Sequence, residues 1–203
     1  SPDSLMFAAV GDTATVTATV KDAGGATIAG ATVTWATSDT TVATVSDAGL
    51  VTAVTNGTAT ITATSGVLEA TAAVTVAQVA SSIVLSDTVP TFASLTDTTQ
   101  LTATVKDADA NVISDATVSW ATSDTTIATV SDAGLVTSVA NGTATITATS
   151  GPASATASVT VAQVAASITL SPDSLVFVTP GDTATVTGTV KDALGSVMAI
   201  SPT

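Results

Sequence analysis

The residues that most invite chemistry are the aspartates. From Asp107 to Asp115 the chain reads DADANVISD, with oxygen-bearing side chains at Asp107, Asp109, Asn111 and Asp115. Alternating oxygen ligands of this kind open a calcium loop, where they and a backbone carbonyl surround a hard cation. The pattern then fails. The sixth position is Val112, where the sharp turn calls for Gly, and the twelfth is Val118, where a bidentate Glu belongs. The matching stretch from Asp22 reads DAGGATIAG and has no such cluster. A polar turn between strands is the better reading, since Asp and Asn bond their own backbone there. The alternative is a weaker ion site built from loop aspartates. No cofactor is expected, calcium being the one candidate.

Catalysis is hard to build from the remaining inventory. The chain has no His, Cys, Arg or Tyr, and its one Glu, Glu69, is replaced by Ser154 where the surrounding sequence recurs. A serine nucleophile would need a lysine as its base. The three lysines, Lys21, Lys106 and Lys191, each stand inside TVKDA at one recurring spacing. They read as surface residues at strand ends, where a charge blunts edge pairing. No enzymatic activity is expected. Asn56 and Asn141 begin NGT, which fits a glycosylation sequon and equally a tight Asn-Gly turn; the turn is preferred.

Charge narrows the partners. Sixteen acids against three lysines give a net charge of −13 over 203 residues. Such a surface repels nucleic-acid phosphates, so no nucleic-acid partner is expected. No apolar run reaches the roughly 18 residues of a membrane span, so no membrane insertion is expected in this segment. At 45% apolar the chain has enough material for a packed core.

The elements that position these residues are copies of one unit. WATSDTTVATVSDAGLVT, starting at Trp35, returns at Trp120 with Val42 replaced by Ile127. The offset from Trp35 to Trp120 also relates the three lysines, and Phe7, Phe92 and Phe177. Between Trp35–Gly66 and Trp120–Gly151 the only differences are Val42 against Ile127, Ala53 against Ser138 and Thr55 against Ala140. Within a unit, ATVTATV (Ala14–Val20) and TATITAT (Thr58–Thr64) alternate small apolar residues with Thr, the period of half-buried strands. Asp, Asn and Gly mark the turns between them. Seven or so short strands in a repeat of about 85 residues predict an all-β fold of tandem antiparallel β-sandwiches. Trp35, Trp120, Phe7, Phe92 and Phe177 are the expected structural core.

At this point VTWATSDTTVATVSDAGLVTAVTNGTATITATSG resembles the bacterial immunoglobulin-like domain of group 2. The motif W-x-S/T-S-D/N…VATV-x-x-x-G-x-V-T-x-V-x-x-G-T-x-x-I-x-A carries the likeness, in both complete units and in the third as far as it goes. Thr55-Asn56-Gly57 departs from it, since many relatives have a small residue before the Gly. The resemblance implies immunoglobulin-like sandwiches without the inter-sheet disulfide, strung in tandem in bacterial and phage surface proteins such as intimin-like adhesins. It implies an extracellular or cell-surface setting.

The units divide as 1–80, lacking a first strand, 81–165, complete, and 166–203, N-terminal strands only; residues 200–203 leave the pattern. The ragged ends are expected to be a window onto a longer array, the alternative being completion by neighbouring chains. The joint TVAQVASSIVL contains no Gly or Pro and should be short and stiff. The expected function is a non-catalytic structural or adhesive module, a semi-rigid spacer rod or fibre. The alternatives are a self-assembling filament subunit with inter-chain strand complementation and a phage virion decoration. Expected partners are neighbouring repeats of the same or adjacent chains, and a host or cell-surface protein or glycan.

Overall fold

The computed structural model describes residues 3–199. Residues 200–203, where the sequence leaves the repeat, lie outside the described residues. The chain divides into two compact units. One holds Ser1–Ser82, Thr104–Ala116 and Gly151–Ala153; the other holds Ile83–Ala103, Thr117–Ser150 and Ser154–Thr203.

Strands account for the regular structure. The first seven are β1 (Ser4–Phe7), β2 (Thr13–Thr15), β3 (Thr34–Thr37), β4 (Ala43–Val45), β5 (Leu50–Ala53), β6 (Gly57–Ser65) and β7 (Leu68–Val76). Then come β8 (Ser82–Leu85), β9 (Thr91–Phe92), β10 (Thr98–Gln100), β11 (Ala103–Lys106), β12 (Ser119–Thr122) and β13 (Ala128–Val130). The last are β14 (Leu135–Ser138), β15 (Gly142–Ser150), β16 (Ala153–Val161), β17 (Ser167–Ser171) and β18 (Thr187–Lys191).

In the first unit a four-stranded sheet, β1-β7-β6-β3, faces a three-stranded sheet, β2-β5-β4, across one core. The second unit repeats this with β9-β16-β15-β12 and β10-β14-β13, and adds the ribbon β17-β18. The Thr/Ala alternation works as its period requires: Ala59, Ile61 and Ala63 of β6 are buried, while Thr58 and Thr60 are exposed. Thr on the outer face supplies strand propensity without adding apolar surface.

Three expectations are corrected. The sandwiches are not wholly antiparallel: β1 runs parallel to β7, and β9 to β16. The paired strands lie at opposite ends of a unit, so no hairpin ties their directions. The run Ala14–Val20 is not one strand. Only Thr13–Thr15 pairs, with β5, and the chain leaves the sheet after it. Its counterpart in the second unit is cut into β10 and β11.

The third correction concerns the aromatics. Phe7 and Phe92 are buried, but Phe177 is 53% exposed, because the described residues after it supply no second sheet to cover it. Trp35 and Trp120 are half-buried and pack against the edge of their cores, since β3 and β12 are edge strands. Small aliphatics fill the centre: Ile61, Val51 and Val74 in one core, Ile146, Val136 and Val159 in the other.

Candidate functional site

The three TVKDA segments end in the same hairpin. Lys21, Lys106 and Lys191 each bridge the residue six positions on, at Thr27, Val112 and Val197. The following Asp shapes the turn with one carboxylate oxygen. Asp22 Oδ1 accepts from the N–H groups of Gly24 and Ala26, both at 2.9 Å. Asp107 Oδ1 accepts from Asp109 (3.1 Å) and Asn111 (2.8 Å), and Asp192 Oδ1 from Leu194 (3.1 Å) and Ser196 (2.9 Å). Asp is suited to this turn because a short side chain reaches its own backbone a few residues on.

The second oxygen does something else. Asp107 Oδ2 accepts from the Val10 N–H at 3.1 Å and the Gln78 side-chain amide at 2.8 Å, while Asn111 Nδ2 donates to the Val10 carbonyl at 2.8 Å. Asp192 Oδ2 accepts from the Leu95 N–H at 2.9 Å and the Gln163 amide at 3.0 Å. Val10 and Leu95 hold equivalent positions in the repeat, as do Gln78 and Gln163 and the two aspartates, so this is one device made twice. Gln78 is itself held, its N–H donating to Asn56 Oδ1 at 2.8 Å; Gln163 is held in the same way by Asn141. The NGT asparagines thus act as turn residues whose side chains fix the glutamine.

The segments that carry these glutamines are pinned along the backbone. Ala77, Val79 and Ser81 donate to the carbonyls of Phe7, Ala8 and Lys106. Ala162, Val164 and Ala166 donate to Phe92, Ala93 and Lys191 in the same order. Together with the Gln–Asp contact, each connector is fastened at nearly every second residue.

Both clasp carboxylates are almost fully enclosed, at 2% exposure. Around Asp107, burial opposes ionisation, but the hydrogen bonds from Gln78, Val10 and Asn111 outweigh it and hold the carboxyl below the ordinary 3.8. For Asp192 the Gln163 amide is the leading cause of the same downward shift, again against burial. A depressed carboxylate stabilises the fold above its ordinary pKa and ceases to do so as pH falls through the folded value. Melting temperature is therefore expected to be level from pH 7 to about 4 and to fall below that. The double variant Asp107→Asn, Asp192→Asn should melt lower at neutral pH and lose part of the acid-induced drop. An unchanged acid limb in that variant would count against the clasps.

The four calcium candidates are placed differently from a calcium loop. Asp107 is buried with both oxygens taken by N–H donors; Asn111 is half-buried and donates to Val10; Asp109 and Asp115 are exposed. No three acidic, His or Cys side chains lie together as a metal-holding group among the described residues. The hairpin tip explains this, because an oxygen that closes an Asx turn points at N–H groups and not at a shared cation. Differential scanning fluorimetry with added calcium and with chelator is expected to give the same melting temperature.

Asp39 and Asp124 close turns of their own. Each takes the hydroxyl of the Thr two residues on at 2.6 Å and its N–H at 2.8 Å. The Thr hydroxyl is the main cause of their lowered pKa values. Asp47 and Asp132 are exposed in the turns that end at Gly49 and Gly134. The clasp was missed in the sequence because TVKDA was read as a lysine signal. The usable signal was the joint recurrence of Gln78/Gln163 with Asp107/Asp192 in a chain poor in both charge and amide side chains.

The model of the bacterial Ig-like domain (group 2) matches residues 8–76 and 81–161. None of the curated proteins matches. Among solved structures, surface layer protein SbsC, domains 4–9, is 24% identical over 91% of this chain and 32% of its own length, with a TM-score of 0.41. The SbsC domain 4 and 5 structure is 27% identical, covering 73% of this chain and 81% of its own, with a TM-score of 0.39. Human protocadherin-24 EC1-2 is 12% identical, covering 80% of this chain and 94% of its own, with a TM-score of 0.32. The chain thus spans about a third of the length of the first of these structures. With two tandem matches over most of its length, and a sandwich folded within each, the chain belongs to the group 2 bacterial Ig-like domain family.

Proposed function

We propose that this chain is a non-catalytic structural module of a bacterial extracellular or cell-surface protein, with repeats at 1–80, 81–165 and 166–203 acting as a semi-rigid spacer. The observation that carries this reading is the doubled connector clasp. Gln78 on Asp107 and Gln163 on Asp192 turn segments that could have been tethers into hydrogen-bonded parts of a folded unit. A chain that invests its most enclosed charges in its joints is suited to holding distance. Family membership supports the surface setting. No helix among the described residues is long and apolar enough to cross a membrane. The net charge of −13 keeps such spacers apart by long-range repulsion, which salt weakens. Adhesion, to a neighbouring repeat or to a surface protein or glycan, would use the sides of the sandwiches.

The test is to raise an antibody against the chain and apply it to intact cells of the organism that makes it. Labelling of the outside of unbroken cells, or of shed fibres, is expected. Labelling that needs permeabilised cells would overturn the reading.

A further inference from the structure

Two non-glycine residues among the described residues have a left-handed backbone, Thr96 at φ 62° and Ala110 at φ 66°. Both stand in clasp turns. Ala110 is in the hairpin of Asp107, and Thr96 follows Leu95, whose N–H goes to Asp192. The first and third copies place Gly11 (φ 92°) and Gly181 (φ 97°) where the second has Thr96. A β-branched residue is strained there, because its Cβ crowds the neighbouring carbonyl. Such a residue persists only where its surroundings hold it.

What holds Thr96 comes from the end of β14. The backbone frame is the same in both units. Thr96 N–H donates to the Ser138 carbonyl and Ser138 N–H to the Asp97 carbonyl, as Gly11 does to Ala53 and Ala53 to Asp12. The side chains differ. In the first copy Asp12 Oδ2 closes the turn by accepting the Ala9 N–H at 3.2 Å, and in the third Asp182 Oδ2 accepts from Thr179 at 3.0 Å. In the second, Asp97 Oδ1 takes the Thr98 N–H instead, and the Ser138 hydroxyl closes the turn. It donates to the Ser94 carbonyl at 2.8 Å and accepts the Asp97 N–H at 3.0 Å, on a residue only 1% exposed. Ser138 replaces Ala53 of the first unit, so the serine and the non-glycine turn residue occur together.

We propose that Ser138 is a positioning residue of the second clasp: its hydroxyl straps the strained turn Ser94–Asp97 in the shape that aims the Leu95 N–H at Asp192. A hydroxyl this deeply buried keeps its partners, because losing one leaves an unsatisfied polar group away from water. Gly11 needs no such strap. Glycine adopts the conformation freely, and a Cβ added there would meet nothing within 4 Å, so the strain of a larger residue would be conformational alone. The pairs Gly11–Ala53 and Thr96–Ser138 are therefore two solutions for one turn. Exchanging half of a pair is costly where exchanging the whole is not. The role of Ser138 rests on the clasp geometry and not on the surface setting, so the labelling of cells and the measurements below can fail separately.

The experiment compares the whole chain with its Ser138→Ala, Thr96→Gly and double variants. The double variant reproduces the first unit's own pair and so has a precedent for folding. Amide hydrogen exchange followed by NMR is expected to quicken about tenfold at Leu95 in Ser138→Ala, the loss of one buried hydrogen bond. Exchange at Val10, which serves the first clasp, should keep the parent rate. The Asp192 carboxyl, titrated by carbon-13 NMR, should rise toward the ordinary 3.8 in Ser138→Ala while Asp107 stays where it is. Thr96→Gly alone should raise the melting temperature, and in the double variant Leu95 and Asp192 should return to parent behaviour. In the first unit, Gly11→Thr should quicken exchange at Val10, and adding Ala53→Ser should restore it. A Ser138→Ala chain too unstable to measure, rescued by Thr96→Gly, would also bear the proposal out. Leu95 exchange and Asp192 titration unmoved by Ser138→Ala would overturn it. So would equal losses in Ser138→Ala and the double variant, which would make the serine a plain core residue with no tie to the strained turn.

Discussion

Replacing Gly134 with alanine is expected to destabilise the second sandwich by about 3 kcal/mol or more, combining left-handed backbone strain with overpacking. Gly134 has φ +81°, a conformation that side chains with a Cβ rarely adopt. The space is also taken. A Cβ there would clash with the Leu101 carbonyl and lie 3.0 Å from the Trp120 ring. The carbonyl cannot retreat, because Gly134 accepts the Leu101 N–H at 3.0 Å and the two backbones are locked together. Gly49 stands in the same vice, between the Val16 carbonyl and the Trp35 ring. This is what the half-buried tryptophans do. They seal the β4–β5 and β13–β14 turns against the opposite sheet, and the glycine lets the ring and the backbone approach. Gly151→Ala is the control, with φ +52° and nothing within reach of a Cβ. It should cost no more than about 1 kcal/mol. Chemical denaturation of the parent and both variants checks the order, and a Gly134→Ala as mild as Gly151→Ala would refute the packing described.

Ile146→Ala is expected to cost about 3 kcal/mol, within the range for truncating a buried isoleucine. The side chain is fully buried in β15 and is surrounded by Ala144, Ala148, Val136 and Val159, all at 4% exposure or less. Alanine walls are already at minimum size and cannot lean in to fill the void, so the cavity term is kept. Ile61→Ala at the matching position should cost less. Ala63 and Ala72 beside it are each 8% exposed where Ala148 and Ala157 are 0%, so the first core is open enough to relax or admit solvent. Denaturant midpoints with unchanged slopes would establish both values. Equal losses at the two sites would contradict the difference in closure between the cores.

The repeat period, the strand class and most turns were legible because they rest on local chemistry. Thr alternating with Ala, Val or Ile dictates which face is buried, and Asp, Asn or Gly is needed where the chain reverses. What escaped depends on partners remote in sequence. Thr17–Lys21 and Thr102–Lys106 are identical, and no reading of propensity separates a coil from a strand when it is pairing with β8 that makes the second one a strand. The parallel course of β1 beside β7 is likewise a matter of topology, with nearly a whole unit between Ser4 and its partner Ala73. Asp107 drew attention for its charge, and the calcium template sorted it by spacing along the chain. Its bonds to Val10 and Gln78 come from 97 and 29 residues away, beyond any local motif. Phe177 followed the register of Phe7 and Phe92, but burial needs a covering sheet as well as a position.

The central proposal is that carboxylate-clasped connectors make this chain a semi-rigid spacer. Small-angle X-ray scattering of the whole chain at neutral pH, beside the Asp107→Asn, Asp192→Asn variant, tests it most directly. The account predicts that the parent chain fits a narrow set of inter-repeat angles and that the variant needs a broader one. A parent chain that fits only an ensemble as broad as that of freely jointed domains, indistinguishable from the variant, would contradict it.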